Sequence, residues 1–267
     1  FRLREADDLE HVHWATTRRG AYDQLTVLAV DHRTQFEELA QRCGADDSRI
    51  AHFKRLAIAA VDKLAAGDRR FGVLVDGRHG MRALEAAADL PYWIGRPIEL
   101  PQSCPLEFDT THDDVAAEIA QWPLNHTVKC LLFYHPDDDE DLRLRQERQA
   151  RRLFDACRAT RHELLIEIIA SKNGKVSANT VARAIQRFYD IGVRPDWWKL
   201  EPAADAETWA NIERAILAND PLCRGVVLLG LSAPQDELIK SFAPAARVGI
   251  VKGFAVGRTI FTAAAER

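Results

Sequence analysis

The sequence predicts a single-domain α/β protein folded as a (β/α)8 TIM barrel. Three observations point there: eight short, apolar, β-rich runs, an amphipathic stretch after each, and no low-complexity linker between them. A strand followed by a helix implies parallel pairing through a right-handed crossover. Eight such units in 267 residues suit a closed barrel better than the alternative, a doubly wound open sheet.

The first run, LTVLAVD (25 to 31), precedes a helix over 48 to 66 with Ser48 as its N-cap. FGVLVD (71 to 76) leads into a helix near 80 to 89. The third strand, PYWIGRPIE (91 to 99), is the least regular, because Pro91 and Pro97 cannot donate to a ladder, and a helix over 112 to 121 follows. TVKCLLFYH (127 to 135) precedes a helix over 139 to 160 whose dense Arg and Glu read as a solvated face. The remaining pairs are ELLIEIIAS (163 to 171) with 177 to 191, DWWKLEP (196 to 202) with 205 to 219, and GVVLLGLS (225 to 232) with 234 to 243. VGIVKGF (248 to 254) comes last, with a helix of barely three turns from 257 to the end.

Composition narrows the function class. Thirty-six Lys and Arg against 40 Asp and Glu give a net charge of -4 without a basic block, which argues against a nucleic-acid surface. No apolar run reaches bilayer length, and FRLREADDLE at the N-terminus is no signal peptide, so no membrane association and a cytoplasmic location are expected. Five cysteines without a CxxC pair suggest reduced thiols, and His79, His112 and His135 lack the spacing of a metal set. The expectation is chemistry without a metal or cofactor.

Polar residues gather where barrel strands end, which is where such barrels place their reacting groups. Asp31, His32 and Arg33 follow the first run, Asp76 and Arg78 the second, His135 the fourth and Ser171 the fifth. Only 8 of the 36 cationic residues are Lys, yet Lys129, Lys199 and Lys252 lie inside predicted strands, and Glu167 interrupts the apolar LLIEIIA. Buried charges of this kind either pair or gather round a polar centre. Alternation puts Trp197, Lys199 and Glu201 on one face of the sixth strand. If that face is interior, burial beside Lys129 and Arg258 would lower the Lys199 pKa and make it an amine nucleophile able to capture a ketone. Glu167 would shuttle protons, with a pKa raised by its apolar surroundings, and Lys129 would hold substrate oxygens. Gly253, Gly257, Arg258 and Lys252 in KGFAVGR, with Gly230 and Ser232 in GLSAP, would form an anion cradle.

Together LAVDHR, TVKCLLFYHPD, LLIEII, WWKLEP and KGFAVGRTIF resemble the class I tagatose 1,6-bisphosphate aldolase type and its sulfosugar relatives. The likeness is greatest to the aldolase-like domain fused behind 5-dehydro-2-deoxygluconokinase in myo-inositol catabolism. It implies Lys199 as the Schiff-base lysine, Glu167 as acid and base, Lys129 as a substrate-holding group, Asp31 as the acid after strand one, and Gly257 with Arg258 as the phosphate site. The pattern departs at His32, where the family usually has Gln, and at Gly230, where it usually has Ser, so the far end of the substrate is expected to differ. The implied substrate is a small phosphorylated sugar acid, 5-dehydro-2-deoxy-6-phosphogluconate, cleaved to dihydroxyacetone phosphate and malonate semialdehyde; Asp76, Arg33 and Arg78 are candidates for its other contacts, the two arginines for its carboxylate. Alternatives are another ketose phosphate, such as tagatose 1,6-bisphosphate or a sulfosugar phosphate, or a non-catalytic barrel regulating a fused kinase. With Phe1 in place of an initiator Met, the resemblance implies a piece of a longer chain with an N-terminal sugar kinase domain, and barrels of this kind commonly form homo-oligomers.

Overall fold

Runs rich in branched and aromatic residues pair edge to edge until the last closes on the first. The computed structural model describes the chain from Arg2 to Glu266. In order, its elements are α1 (Arg2–Thr17), β1 (Leu25–Ala29), α2 (Thr34–Arg42), α3 (Asp47–Ala65), β2 (Phe71–Leu74), α4 (Met81–Ala87), β3 (Trp93–Pro97), α5 (Val115–Ile119) and β4 (His126–Leu132). There follow α6 (Glu140–Thr160), β5 (Leu164–Ile168), α7 (Thr180–Asp190), β6 (Trp197–Leu200), α8 (Ala206–Asn219), β7 (Gly225–Leu229), α9 (Gln235–Phe242), β8 (Val251–Val256) and α10 (Arg258–Ala265). All eight strands are parallel and form a closed barrel in sequence order, as predicted. Among the described residues no helix is long and apolar enough to cross a membrane.

Alternation along each strand sorts the side chains. Leu25, Val27, Trp93, Leu165, Trp197, Val227 and Ala255 point inward and fill the barrel with apolar bulk. Their neighbours Val128, Cys130, Ile166, Trp198 and Leu228 point outward and pack under the helices. Two residues beyond Leu165 and Trp197, the same inward faces present Glu167 and Lys199, which are register partners on β5 and β6. The interior is therefore apolar at the N-terminal end and charged at the C-terminal end.

Several boundaries differ from the sequence expectation. α1 and α2 were not predicted, α5 is shorter than 112 to 121, and α3 is capped by Asp46, whose carboxylate accepts from Ser48 N at 2.9 Å and Arg49 N at 3.3 Å. The eighth strand starts at Val251, three residues later than the sequence suggests. This shift puts Lys252 and Gly253 at its N-terminal end. Gly253 pairs with Leu25 at the start of β1, and a Cβ there would overlap Leu25 O, so glycine is required for the barrel to close.

Asp196, fully buried at the foot of β6, ties α1 and α6 to the barrel. It accepts from Trp14 Nε1 at 2.7 Å, Arg18 Nη1 at 2.8 Å, Arg158 Nη1 at 3.1 Å and Leu164 N at 2.9 Å. Burial opposes its charge, but Arg158 and Arg18 outweigh burial and hold its carboxyl below the ordinary range. The stability it contributes is thus present above its unfolded pKa and lost as pH falls through the folded value. Asp196→Ala should lower the unfolding free energy by about 3 to 5 kcal/mol, because it strands two guanidinium groups in the barrel foot. Urea denaturation at pH 7 checks this, and an unchanged midpoint would contradict it.

Candidate active site

The C-terminal ends of the strands surround a cavity of about 660 Å³. At its floor lies the Lys129 ammonium, 2.8 Å from Glu99 Oε1, 3.0 Å from Glu167 Oε2 and 3.3 Å from Asp31 Oδ2. Three carboxylates, two just past the ends of β1 and β3 and one within β5, thus converge on a cation built into β4. Among the described residues no His, Cys, Asp or Glu group forms a metal-ligand set, and the centre these acids share is an ammonium. Burial works against the Lys129 charge, but Glu167, Glu99 and Asp31 outweigh it and raise its pKa well above the ordinary lysine value.

Lys199 Nζ lies 3.1 Å from the other oxygen of Glu167, Oε1. Glu167 therefore bridges the two lysines. Burial alone would raise its pKa, as the sequence suggested, but Lys129 and then Lys199 pull it below the usual carboxylate range. The expectation of a raised value is corrected on that ground: its surroundings are cationic as well as apolar. Asp31 behaves alike, with burial overridden chiefly by Lys129. Neither acid protonates near neutral pH unless its cations change.

Of the other predicted residues, His32, Arg33, Gly230, Ser232, Gly257 and Arg258 line the same cavity. Gly257 caps α10, and a Cβ there would overlap Ala29 O and stand 2.7 Å from His32 Cε1, so glycine lets the turn press against the imidazole. At the facing turn after β7, Leu231 and Ser232 both adopt positive φ, 47° and 62°, and bend the backbone tightly after Gly230.

Four predicted residues lie elsewhere. Asp76 forms a buried ion pair with Lys54 of α3 and accepts from His79 N at 2.8 Å, so it supports the wall from behind. Arg78 points away from the cavity to Asp109, 3.2 Å away, and to Glu37 at 3.7 Å. Lys252 and Gly253 sit at the opposite end of β8, where Lys252 Nζ donates to Gly249 O at 3.0 Å. Arg33 does line the cavity, but its guanidinium is engaged by Glu99 O at 2.8 Å, Glu99 Oε1 at 3.1 Å and Asp109 Oδ2 at 3.2 Å.

Glu99 is the residue that sequence reasoning missed. It accepts from Lys129, from Arg33 and, through Oε2, from Leu131 N at 3.2 Å, which fixes the acid between two cations. Its signal was present: a lone carboxylate two residues beyond Pro97, at the C-terminal end of the predicted third run 91 to 99.

His32 supplies a checkable property. Its ring packs edge-on against Phe261 with centroids 5.5 Å apart, and its Nδ1 is 3.8 Å from Asp31 Oδ1. Burial, against an opposing pull from Asp31, lowers its pKa to about 4, so the imidazole is neutral in the working range. Histidine NMR should show the His32 ring titrating near pH 4. Titration of His32 at the ordinary histidine value would contradict the described packing. Because the folded pKa is the lower one, this group's contribution to stability is lost as pH falls from the unfolded value toward 4.

Comparison with solved structures gives Cgl0159 from Corynebacterium glutamicum, at 18% identity and a TM-score of 0.61, covering 99% of this chain and 92% of that one. A fructose-bisphosphate aldolase from Slackia heliotrinireducens matches at 15% identity and a TM-score of 0.58, over 99% of this chain and 81% of the other. At such identities the likeness is one of fold. No curated protein sequence matches the chain. Residues 1–267 match the bacterial family described as DUF2090, an uncharacterized protein conserved in bacteria, and the chain belongs to that family.

Proposed function

We propose that this barrel is a class I aldolase that cleaves a phosphorylated keto sugar acid through a Schiff base on Lys199. The observation that carries the proposal is the contact between Lys199 Nζ and Glu167 in a cavity with room for a substrate. Lys129 is committed to three carboxylates, whereas Lys199, among the described residues, pairs with Glu167 alone.

Glu167's affinity for a proton depends on the charge of Lys199, because that ammonium is one of the two cations depressing it. When a substrate ketone approaches, Lys199 passes a proton to Glu167, its nitrogen attacks the carbonyl carbon, and a second proton moves from that nitrogen to the carbonyl oxygen to give a neutral carbinolamine. The cation beside Glu167 is then gone, and the acid holds the proton more firmly. Glu167 returns it to the carbinolamine hydroxyl, which leaves as water and produces a positively charged iminium. Glu167 is again ionised. It next takes the proton of the hydroxyl two carbons from the iminium carbon, and the intervening carbon–carbon bond breaks toward the iminium. The aldehyde product leaves, and the enamine is protonated and hydrolysed to the second product.

The residues proposed as the anion cradle follow the next two strands round the barrel, Gly230 after β7 and Gly257 with Arg258 after β8, and line the same cavity as Lys199. An anion held on these neighbouring strands suits a substrate whose phosphate is on the carbon next to the ketone that Lys199 captures. In 5-dehydro-2-deoxy-6-phosphogluconate the ketone has that neighbour, and cleavage gives dihydroxyacetone phosphate and malonate semialdehyde.

Borohydride reduction in the presence of dihydroxyacetone phosphate should attach a three-carbon phosphate adduct to Lys199, located by peptide mass spectrometry. Lys199→Met should acquire none and lose at least about a thousandfold in kcat, as removal of a covalent nucleophile does. An active wild-type preparation without the adduct would overturn the proposal.

A further inference from the structure

The proposed substrate has a second anionic group, the carboxylate on its far carbon, and any site for that group rests on the aldolase proposal. The two arginines that the sequence suggested for it are already occupied: Arg33 by Glu99 and Asp109, and Arg78 by Asp109 outside the cavity. Beyond Arg33, Lys129, Lys199 and the Arg258 of the phosphate side, one further cation lines the cavity. Lys172 stands at its rim, in the loop between β5 and α7, and makes no ion pair among the described residues.

The backbone on each side of Lys172 is pinned. Ser171 N donates to Glu201 Oε2 at 3.1 Å and its hydroxyl donates to Glu201 Oε1. Asn173 Nδ2 donates to Phe133 O at 3.0 Å and Asp138 Oδ2 at 2.9 Å, and Asn173 N donates to Ala170 O at 3.1 Å. The loop therefore holds Lys172 at a fixed place on the rim, where only its own side chain needs to turn. Strand order makes the position informative. Lys199 is on β6, Lys172 follows β5 on one side, and Gly230, Gly257 and Arg258 follow β7 and β8 on the other.

We infer that Lys172 binds the distal carboxylate and that the cavity selects a keto compound with an anionic group at each end. A substrate fixed by its phosphate on the β7–β8 side extends from Lys199 toward β5. Its carboxylate then reaches Lys172, which, like Arg258 on the phosphate side, has no acid partner among the described residues. Lys172 touches neither the carbonyl carbon nor the breaking bond, so it sets specificity and leaves the chemical step alone.

The condensation direction tests this, because the carboxylate arrives on a separate aldehyde. With dihydroxyacetone phosphate as donor, Lys172→Met should raise KM for malonate semialdehyde on the order of tenfold, as loss of a charge-assisted hydrogen bond does, with kcat nearly unchanged. KM for propanal, a neutral three-carbon aldehyde, should not move, and Lys172→Arg should restore most of the malonate semialdehyde affinity. Equal effects on both aldehydes, or none on either, would overturn the inference. Borohydride trapping of dihydroxyacetone phosphate runs alongside: a wild-type enzyme that forms no Lys199 adduct overturns the aldolase proposal and this inference with it, whereas normal trapping in Lys172→Met with unchanged aldehyde selectivity overturns the inference alone.

Discussion

The ammonium of Lys129 inside the barrel is the interaction on which the other site features depend. Three carboxylates, from Asp31, Glu99 and Glu167, would repel one another in a low-dielectric interior, and without a cation among them they could not all stay ionised. Lys129 meets that requirement with a side chain fixed to β4. The acids in turn keep it charged, although burial opposes this. Each partner's protonation state is therefore a property of the cluster.

This mutual dependence divides the labour between the two lysines. Lys129 is surrounded and cannot give up a proton at any ordinary pH, so it stands as a fixed positive charge among the three acids. Lys199 touches one acid, the acid whose own charge Lys129 secures. Under the aldolase proposal, Glu167 then follows the charge on Lys199 through each step, becoming a better base when that nitrogen is neutral and a better acid when it is cationic. Arg33 extends the same network to the outer rim through Glu99 and Asp109. The apolar floor of Trp93, Leu165 and Trp197 beneath these charges keeps water out and strengthens every contact above it.

Much of this was legible in the sequence because barrel strands alternate and their ends carry the polar groups. Asp31, Lys129, Glu167 and Lys199 stood out as charges within apolar runs, and all four meet at the cavity floor. Glu99 did not stand out, since the prolines of the third strand obscured which residues faced inward. Lys252 and Gly253 were misplaced for a related reason: Gly249 and Ile250 form the turn before β8, but among apolar neighbours they read as strand, and a three-residue shift carries a side chain from one end of the barrel to the other. Asp76 gave no hint that Lys54 would claim it, because a lysine on a long helix usually faces solvent, whereas this one is fully buried. α1 lacks an apolar stripe, and what holds it is a set of polar contacts to Asp196 and Asp220 that only the closed barrel brings within reach.

The most direct test of the central claim is a carboxyl carbon NMR titration of Glu167 in the wild-type protein and in Lys129→Met. If the Lys129 ammonium keeps Glu167 ionised, the wild-type residue titrates below the ordinary glutamate value, and the variant titrates above the wild type as burial and Asp31 prevail. An identical titration in both proteins would show that the charge state of the cluster does not depend on Lys129.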